Sequence, residues 1–260
     1  MKKFFFMSCI LSAASLAGMQ QEKDLIRSLH FSAQSDDHFL DTCELINNGA
    51  DVNAKDKFSN TPLMVATQAL QLKTVEFLLS QEGIDVNHAN SSLDGGSALH
   101  LLCMPKNRLL LYENSKYEAD QAQHIKQQVI DQCNKDLCKQ RETILEKLLQ
   151  NGAAVNIKNR WGYTPLYYLL NRYPTIITDK LAVAQRTEII DKEIRIEKLI
   201  PHVTNLIATI IKAGAHEKLV EGLAPTGKSA IEWAYSKKIP YFTQLADFAI
   251  KTADSIKLQQ

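Results

Sequence analysis

The sequence predicts an all-α fold, a solenoid of about five helix-turn-helix units. Three observations predict it. A hydroxyl residue followed by Pro or Ala opens an apolar stretch four times over. A Gly turn closes a helix four times, in alternation with those starts. Gly and Pro number only 10 and 7 in 260 residues, few for an all-β chain with many tight turns.

Composition sets the outer bounds. Hydrophobic residues make up 45%, charged residues 23% and aromatics 7%, which describes a soluble globular chain and excludes disorder and collagen-like structure. Lys and Arg total 30 against 29 for Asp and Glu, a net charge of +1. Neutralising phosphates needs a basic excess or stripe, so nucleic acid is not an expected partner.

The first element is a targeting segment. Met1-Lys2-Lys3 is a short basic stretch, and Phe4 to Leu16 is uncharged and mostly apolar. Ser15-Leu16-Ala17 places small residues where a signal peptidase reads them, so residues 1–17 read as a cleaved signal peptide. The uncharged run of about 18 residues is borderline for a membrane span, which needs about 20. The expectation is export to a periplasmic or secreted location. The alternative is a cytoplasmic protein whose first helix is apolar. No Cys stands at the cleavage site, so a lipid anchor is not expected. No later segment is apolar and long enough to span, so no membrane contact is expected after cleavage. Cys43, Cys103, Cys133 and Cys138 would remain, and a chain of this size needs no disulfide, so free thiols are expected.

The helix starts come next. They are Thr61-Pro-Leu-Met-Val-Ala-Thr67, Ser97-Ala-Leu-His-Leu-Leu-Cys103, Thr164-Pro-Leu-Tyr-Tyr-Leu-Leu170 and Ser229-Ala-Ile-Glu-Trp-Ala-Tyr235. Ser or Thr caps the helix, and Pro is harmless at the first helical position because its missing N–H has no partner there. The closing turns are Asn48-Gly-Ala-Asp-Val-Asn53, Glu82-Gly-Ile-Asp-Val-Asn87, Asn151-Gly-Ala-Ala-Val-Asn156 and the weaker Ala213-Gly-Ala-His216. Gly49, Gly83, Gly152 and Gly214 read as left-handed C-caps. Each follows an amphipathic helix such as Thr74 to Leu79 or Glu142 to Leu149.

The order is thus N-cap, inner helix, outer helix, Gly cap, Val-Asn stretch and turn. Val52 and Val86 stand 34 residues apart. This resembles the ankyrin repeat, whose unit is about 33 residues with a Thr-Pro-Leu-His-like start. The resemblance covers roughly residues 24 to 245. Of the four starts only His100 keeps the His, and Leu102 and Leu169 stand where a small Ala is usual, which calls for looser or shifted packing. Within a single domain over 18–260 the expected units are 22–55, 56–91, 92–159, 160–222 and 223–260. The first is a degenerate cap without a Thr-Pro-Leu start. The last carries a capping helix over Tyr241 to Lys257. Stacked units share one core, so none is expected to be stable alone.

Two units are too long. Ser97 to Gly152 and Thr164 to Gly214 each exceed the ordinary spacing by about 30 residues. Both insertions fall between inner and outer helix. The apolar ladder Ile125, Val129, Cys133, Leu137, Ile144, Leu148 predicts one long helix around Asp120 to Gln150, about 45 Å long. The second insertion carries Leu181, Ala184, Ile190 and Ile194 behind a Thr178 cap, and Pro201 is expected to break or kink it before an outer helix over His202 to Lys212. The two insertions are expected to pair as a side protrusion.

Motifs with chemistry are few. Gly222-Leu-Ala-Pro-Thr-Gly-Lys-Ser229 matches the phosphate-binding loop pattern letter for letter. The six residues ahead of it are too polar for a buried parallel strand, and Gly227-Lys-Ser-Ala-Ile231 aligns with Gly162-Tyr-Thr-Pro-Leu166 as a repeat turn. The spacing of Cys133 and Cys138 with His124 completes no metal set. No nucleophile motif or tuned acid–base pair occurs, so no catalysis, cofactor or metal is expected.

Binding of another protein is what remains, and the resemblance implies the same. In that family partners lie on the turn tips and inner helices. The candidate residues are Arg160, Trp161 and Tyr163, with Lys57, Phe58 and Asn60 in the second unit. Arg, Trp and Tyr dominate interface hot spots. Tyr167 and Tyr168 are 100° apart on a helix, so one is expected to face the open side and the other the stack. The expected state is a monomer. The rival readings are nucleotide binding through Gly222–Ser229 and a homodimer through the insertion helices.

Overall fold

The computed structural model describes residues 21–91, 95–104, 136–172, 189–215, 229–236 and 240–258. The signal segment 1–17, the parts of both expected insertions that fall in 105–135 and 173–188, Cys133, His124 and Gly222 to Lys228 lie outside them. The described residues are helical with no strand. The chain forms two compact units, one ending at Asp85 and the other beginning at Val86.

The first unit opens with helix α1 over 21–32 and continues with α2 (Phe39–Asn47), α3 (Pro62–Ala69) and α4 (Leu72–Leu79). Thr61 stands in extended backbone ahead of Pro62, and its Oγ1 accepts the Met64 N–H at 3.3 Å. Leu63, Met64, Ala66, Val75 and Leu78 turn their side chains into the core, all essentially without exposure. A second apolar cluster joins Leu25, Ile26 and Leu29 of α1 to Leu45, Ile46, Ala50 and Ala54. Two buried hydroxyls are paired across elements: Thr42 Oγ1 donates to Ser32 Oγ, and Thr74 Oγ1 donates to Asp36 Oδ1. These bonds matter because an unpaired buried hydroxyl costs about 1–3 kcal/mol.

The second unit contains α5 (Ala98–Cys103), α6 over 136–150, α7 (Pro165–Tyr167), α8 (Ile189–Lys212), α9 (Ala230–Ser236) and α10 (Pro240–Lys257). After α7 the backbone widens into a π-helical turn, Tyr168–Arg172, at the place where the oversized Leu169 stands. The stripe Val203, Leu206, Ile207, Ile210 and Ile211 of α8 is buried, with the 3–4 spacing of one helix face. Pro201 lies inside α8 and the helix continues past it, so of the break or kink expected from sequence the break does not occur. Proline removes one ladder hydrogen bond, and the apolar stripe that follows keeps the helix on its face nonetheless. The C-terminal helix begins at Pro240 and buries Phe242, Leu245, Ala246, Ala249 and Ala253.

All four expected C-cap glycines take positive φ: Gly49 at 93°, Gly83 at 74°, Gly152 at 81° and Gly214 at 108°. At Gly152 the motif is complete, since Gly152 N donates to Leu149 O and Ala153 N to Leu148 O. An Asn then reaches from one Gly turn to the next. Asn53 Nδ2 donates to Gly83 O and its Oδ1 accepts Asp85 N. Asn87 does the same with Gly152 O and Ala154 N, and Asn156 Nδ2 donates to Gly214 O. The partners of the Nδ2 groups are 30, 65 and 58 residues along the chain. One joint thus recurs across quite different sequence separations.

Candidate functional site

The candidate residues sit on two turns of identical construction, one in each unit. In the first, Asp56 Oδ1 accepts the N–H groups of Phe58 and Asn60, both at 2.8 Å, and Asp56 N donates to Asn60 O. In the second, Asn159 Oδ1 accepts the N–H groups of Trp161 and Tyr163, both at 2.9 Å, and Asn159 N donates to Tyr163 O. Such side-chain-closed turns are the reason Asp and Asn favour this position. The penultimate residue takes positive φ in both, Gly162 at 76° and Ser59 at 59°. Position by position, Lys57 matches Arg160, Phe58 matches Trp161 and Asn60 matches Tyr163.

The backbone of each turn is fastened from below by a histidine. His100 Nε2 lies 2.9 Å from Tyr163 O, and Ser97 N donates to His100 Nδ1 at 3.1 Å. Nδ1 therefore accepts and Nε2–H donates, an assignment made from the hydrogen bonds. His30 Nε2 lies 2.8 Å from Asn60 O. The repeat over 22–55, read from sequence as lacking the family's start, therefore supplies the same turn-fastening His at Leu29-His30.

The candidate residues divide by exposure. Lys57 and Arg160 are exposed, and Phe58 and Trp161 keep 51% and 47% of their surface in solvent. Lys57 Nζ stands 4.8 Å from the centre of the Phe58 ring. Arg160 lies against the loop ahead of α5, where a Cβ placed on Gly95 would come within 3.0 Å of the Arg160 Cβ. Tyr163 and Asn60 are partly buried and have inward partners. The Tyr163 ring stacks on Tyr167 at 4.0 Å with a 4° tilt, and Asn60 Nδ2 donates to Asp56 Oδ2. Four residues thus present side chains outward and two brace the turn.

Tyr167 and Tyr168 do not divide as their 100° spacing implied. Both are buried, Tyr167 beneath Tyr163 and Tyr168 with its OH accepting Asn159 Nδ2–H at 2.8 Å. Sequence reasoning also passed over Lys55 and Lys158, exposed residues two positions before Lys57 and Arg160. The repeated Lys-Asx-cation-aromatic order was the signal available for them.

Away from the turns several described polar and titratable groups serve the fold. Ser229 Oγ accepts Glu232 N at 3.1 Å while Ser229 N donates to Glu232 Oε2 at 2.8 Å, the reciprocal cap of a helix start. Its hydroxyl is thereby engaged as the repeat reading expects. Cys43, Cys103 and Cys138 carry free thiols. Burial pushes the Cys103 thiol up to about 12 and the Cys138 thiol to about 11, with Arg141 partly opposing both. Thiols so raised are poor nucleophiles. His202, in α8, places Nδ1 2.8 Å from Glu142 Oε1 in α6. Burial lowers the His202 ring to about 4 despite that carboxylate. Among the described residues no cluster of His, Cys, Asp and Glu could hold a metal, and no helix is long and apolar enough to cross a membrane.

Residues 29–121 match the family model for ankyrin repeats, described as three copies. The turn of Lys57, Phe58 and Asn60 falls inside that match. The turn of Arg160, Trp161 and Tyr163 follows it in the chain and repeats its construction.

Proposed function

Residues 29–121 are ankyrin repeats, typically non-catalytic modules with protein partners, and on that premise we propose that this chain grips a partner protein at its turn tips. The anchor is Trp161, with Arg160 before it in the turn and Tyr163 two residues on, stacked on Tyr167. The matching turn of Lys57, Phe58 and Asn60 forms a second contact. One observation carries the reading: a Trp with 47% of its surface in solvent stands on a turn whose backbone is fixed by Asn159 and His100. A rigid aromatic on a fixed backbone offers contact area at small entropic cost.

The layout of five units with two insertions belongs to the same proposal. Its support is the Asn Nδ2 bond to the next Gly carbonyl, repeated at separations of 30, 65 and 58 residues. Export after removal of residues 1–17, and action as a monomer without a cofactor, complete it. The Lys2-Lys3 start, apolar run and small residues before Ala17 support export.

Photo-cross-linking tests the site. A photoreactive residue at position 161 is expected to trap the native partner. The same group at position 40, where Leu40 is 76% exposed on α2, is expected to trap far less. Equal capture at both positions would place the interface elsewhere.

A further inference from the structure

The two turns share more than their hydrogen bonds. One reads Lys55-Asp-Lys-Phe58 and the other Lys158-Asn-Arg-Trp161. The fold accounts for only part of that likeness. It needs the Asx side chain, which accepts two N–H groups in each turn, and a residue tolerant of positive φ. The turn closes on the backbone N–H of Phe58 and of Trp161. The cations on either side of the Asx, and an aromatic ring rather than any other side chain, are not required by turn geometry. They nevertheless occur together twice, in a chain whose charges balance to +1.

Within each turn exposed cations outnumber carboxylates. Lys55, Lys57, Lys158 and Arg160 are all exposed. The carboxylate of Asp56 is occupied by the N–H groups of Phe58 and Asn60 and by Asn60 Nδ2. At the second turn Asn159 makes the same bonds with no charge at all. Each tip therefore presents two cations beside one half-exposed ring.

We propose that each tip is a docking finger for an acidic protein segment carrying a central apolar side chain. This rests on the protein-binding reading above and adds the chemistry of the partner. The ring of Phe58 or Trp161 takes the apolar side chain, and the flanking cations take Asp or Glu on either side of it. Arg160 can hold a carboxylate with two parallel hydrogen bonds, whereas Lys57 offers a point charge already placed against its ring. Cations beside aromatics also suit single-stranded nucleic acid. A strand, however, follows a continuous basic groove, and charges balanced at 30 to 29 leave little basic excess to build one.

The test uses the full chain, immobilised and exposed to a displayed library of random peptides, with a thymidine oligonucleotide measured separately. Recovered peptides should be enriched in Asp or Glu next to an aliphatic or aromatic residue. Their affinity should fall about tenfold or more on raising salt from roughly 0.05 to 0.5 M, as screened charges require. Lys57→Glu combined with Arg160→Glu should weaken them at least about tenfold. Phe58→Ser combined with Trp161→Ser should weaken them too, all with unchanged circular dichroism. Peptides without acidic enrichment that still need Phe58 and Trp161 would overturn the acidic partner and leave protein binding at the tips intact. Peptides indifferent to all four substitutions, or no peptides at all, would overturn the fingers themselves. Tighter binding of the oligonucleotide, lost in the Glu variant, would assign the tips to nucleic acid instead.

Discussion

His30 and His100 hold equivalent carbonyls. Each places Nε2 under 3 Å from the backbone oxygen of the residue just before an N-cap Thr, Asn60 ahead of Thr61 and Tyr163 ahead of Thr164. Their other ring nitrogens differ. His100 Nδ1 accepts from Ser97 N, but His30 Nδ1 faces Ile26 O at 2.8 Å. The reason is local. Ser97 is an N-cap with a spare N–H, whereas the matching Arg27 lies inside α1, where its N–H belongs to the helix ladder. Each ring joins a helix to the turn that carries the candidate site.

His100→Leu should therefore loosen the turn as well as the core. Removing the ring leaves Tyr163 O with Asn159 N as its remaining donor and takes the Nδ1 acceptor from Ser97 N, and should cost about 1–3 kcal/mol in urea unfolding. His30→Leu should cost less, about 0.5–1.5 kcal/mol, since Asn60 O keeps the Asp56 N–H. An unchanged unfolding midpoint in either variant would show that the turn does not depend on its histidine.

Two glycines separate backbone strain from collision. A Cβ at Gly152, with φ 81°, would meet nothing within 4 Å, so Gly152→Ala should cost only the left-handed penalty of about 1–2 kcal/mol. A Cβ at Gly96 would lie 2.9 Å from the His100 Cβ. Gly96→Ala should cost more, because the turn-fastening ring has to shift. Calorimetry on both variants ranks them, and the reverse order would contradict this account.

Acid should weaken the second unit through His202. Its ring is buried and neutral, held at about 4 in the fold against an ordinary 6.5. The unfolded chain then binds the proton first, so stability is full above about pH 6.5 and falls as pH drops toward 4. The loss is on the order of 2–3 kcal/mol. Unfolding measured across this range should flatten in His202→Gln. An equal slope in the variant would assign the acid sensitivity to other groups.

Much of this was legible in the sequence because short-range chemistry dictates it. Thr61, Thr164 and Ser229 cap helices with their side chains, and four glycines end helices at positive φ, as their neighbours imply. His30 was hidden because no hydroxyl or Pro marks its unit, since α1 begins well before Arg27. Leu29-His30 repeats Leu99-His100 and was the only trace. Periodicity could not foresee that Tyr163 covers Tyr167 or that Asn159 binds Tyr168, since both contacts come from a turn folding back on its helix. At Pro201 the helix is not broken, because the local rule meets a stripe of buried residues that continues beyond it.

The central claim is that Trp161 anchors a partner while supporting little of the core. The most direct measurement is the affinity of Trp161→Ala for the partner trapped at position 161, together with its melting temperature. Binding should weaken by about 2 kcal/mol or more, some thirtyfold, with the melting temperature nearly unchanged. A variant that melts several degrees lower yet binds normally would make Trp161 a packing residue and contradict the account.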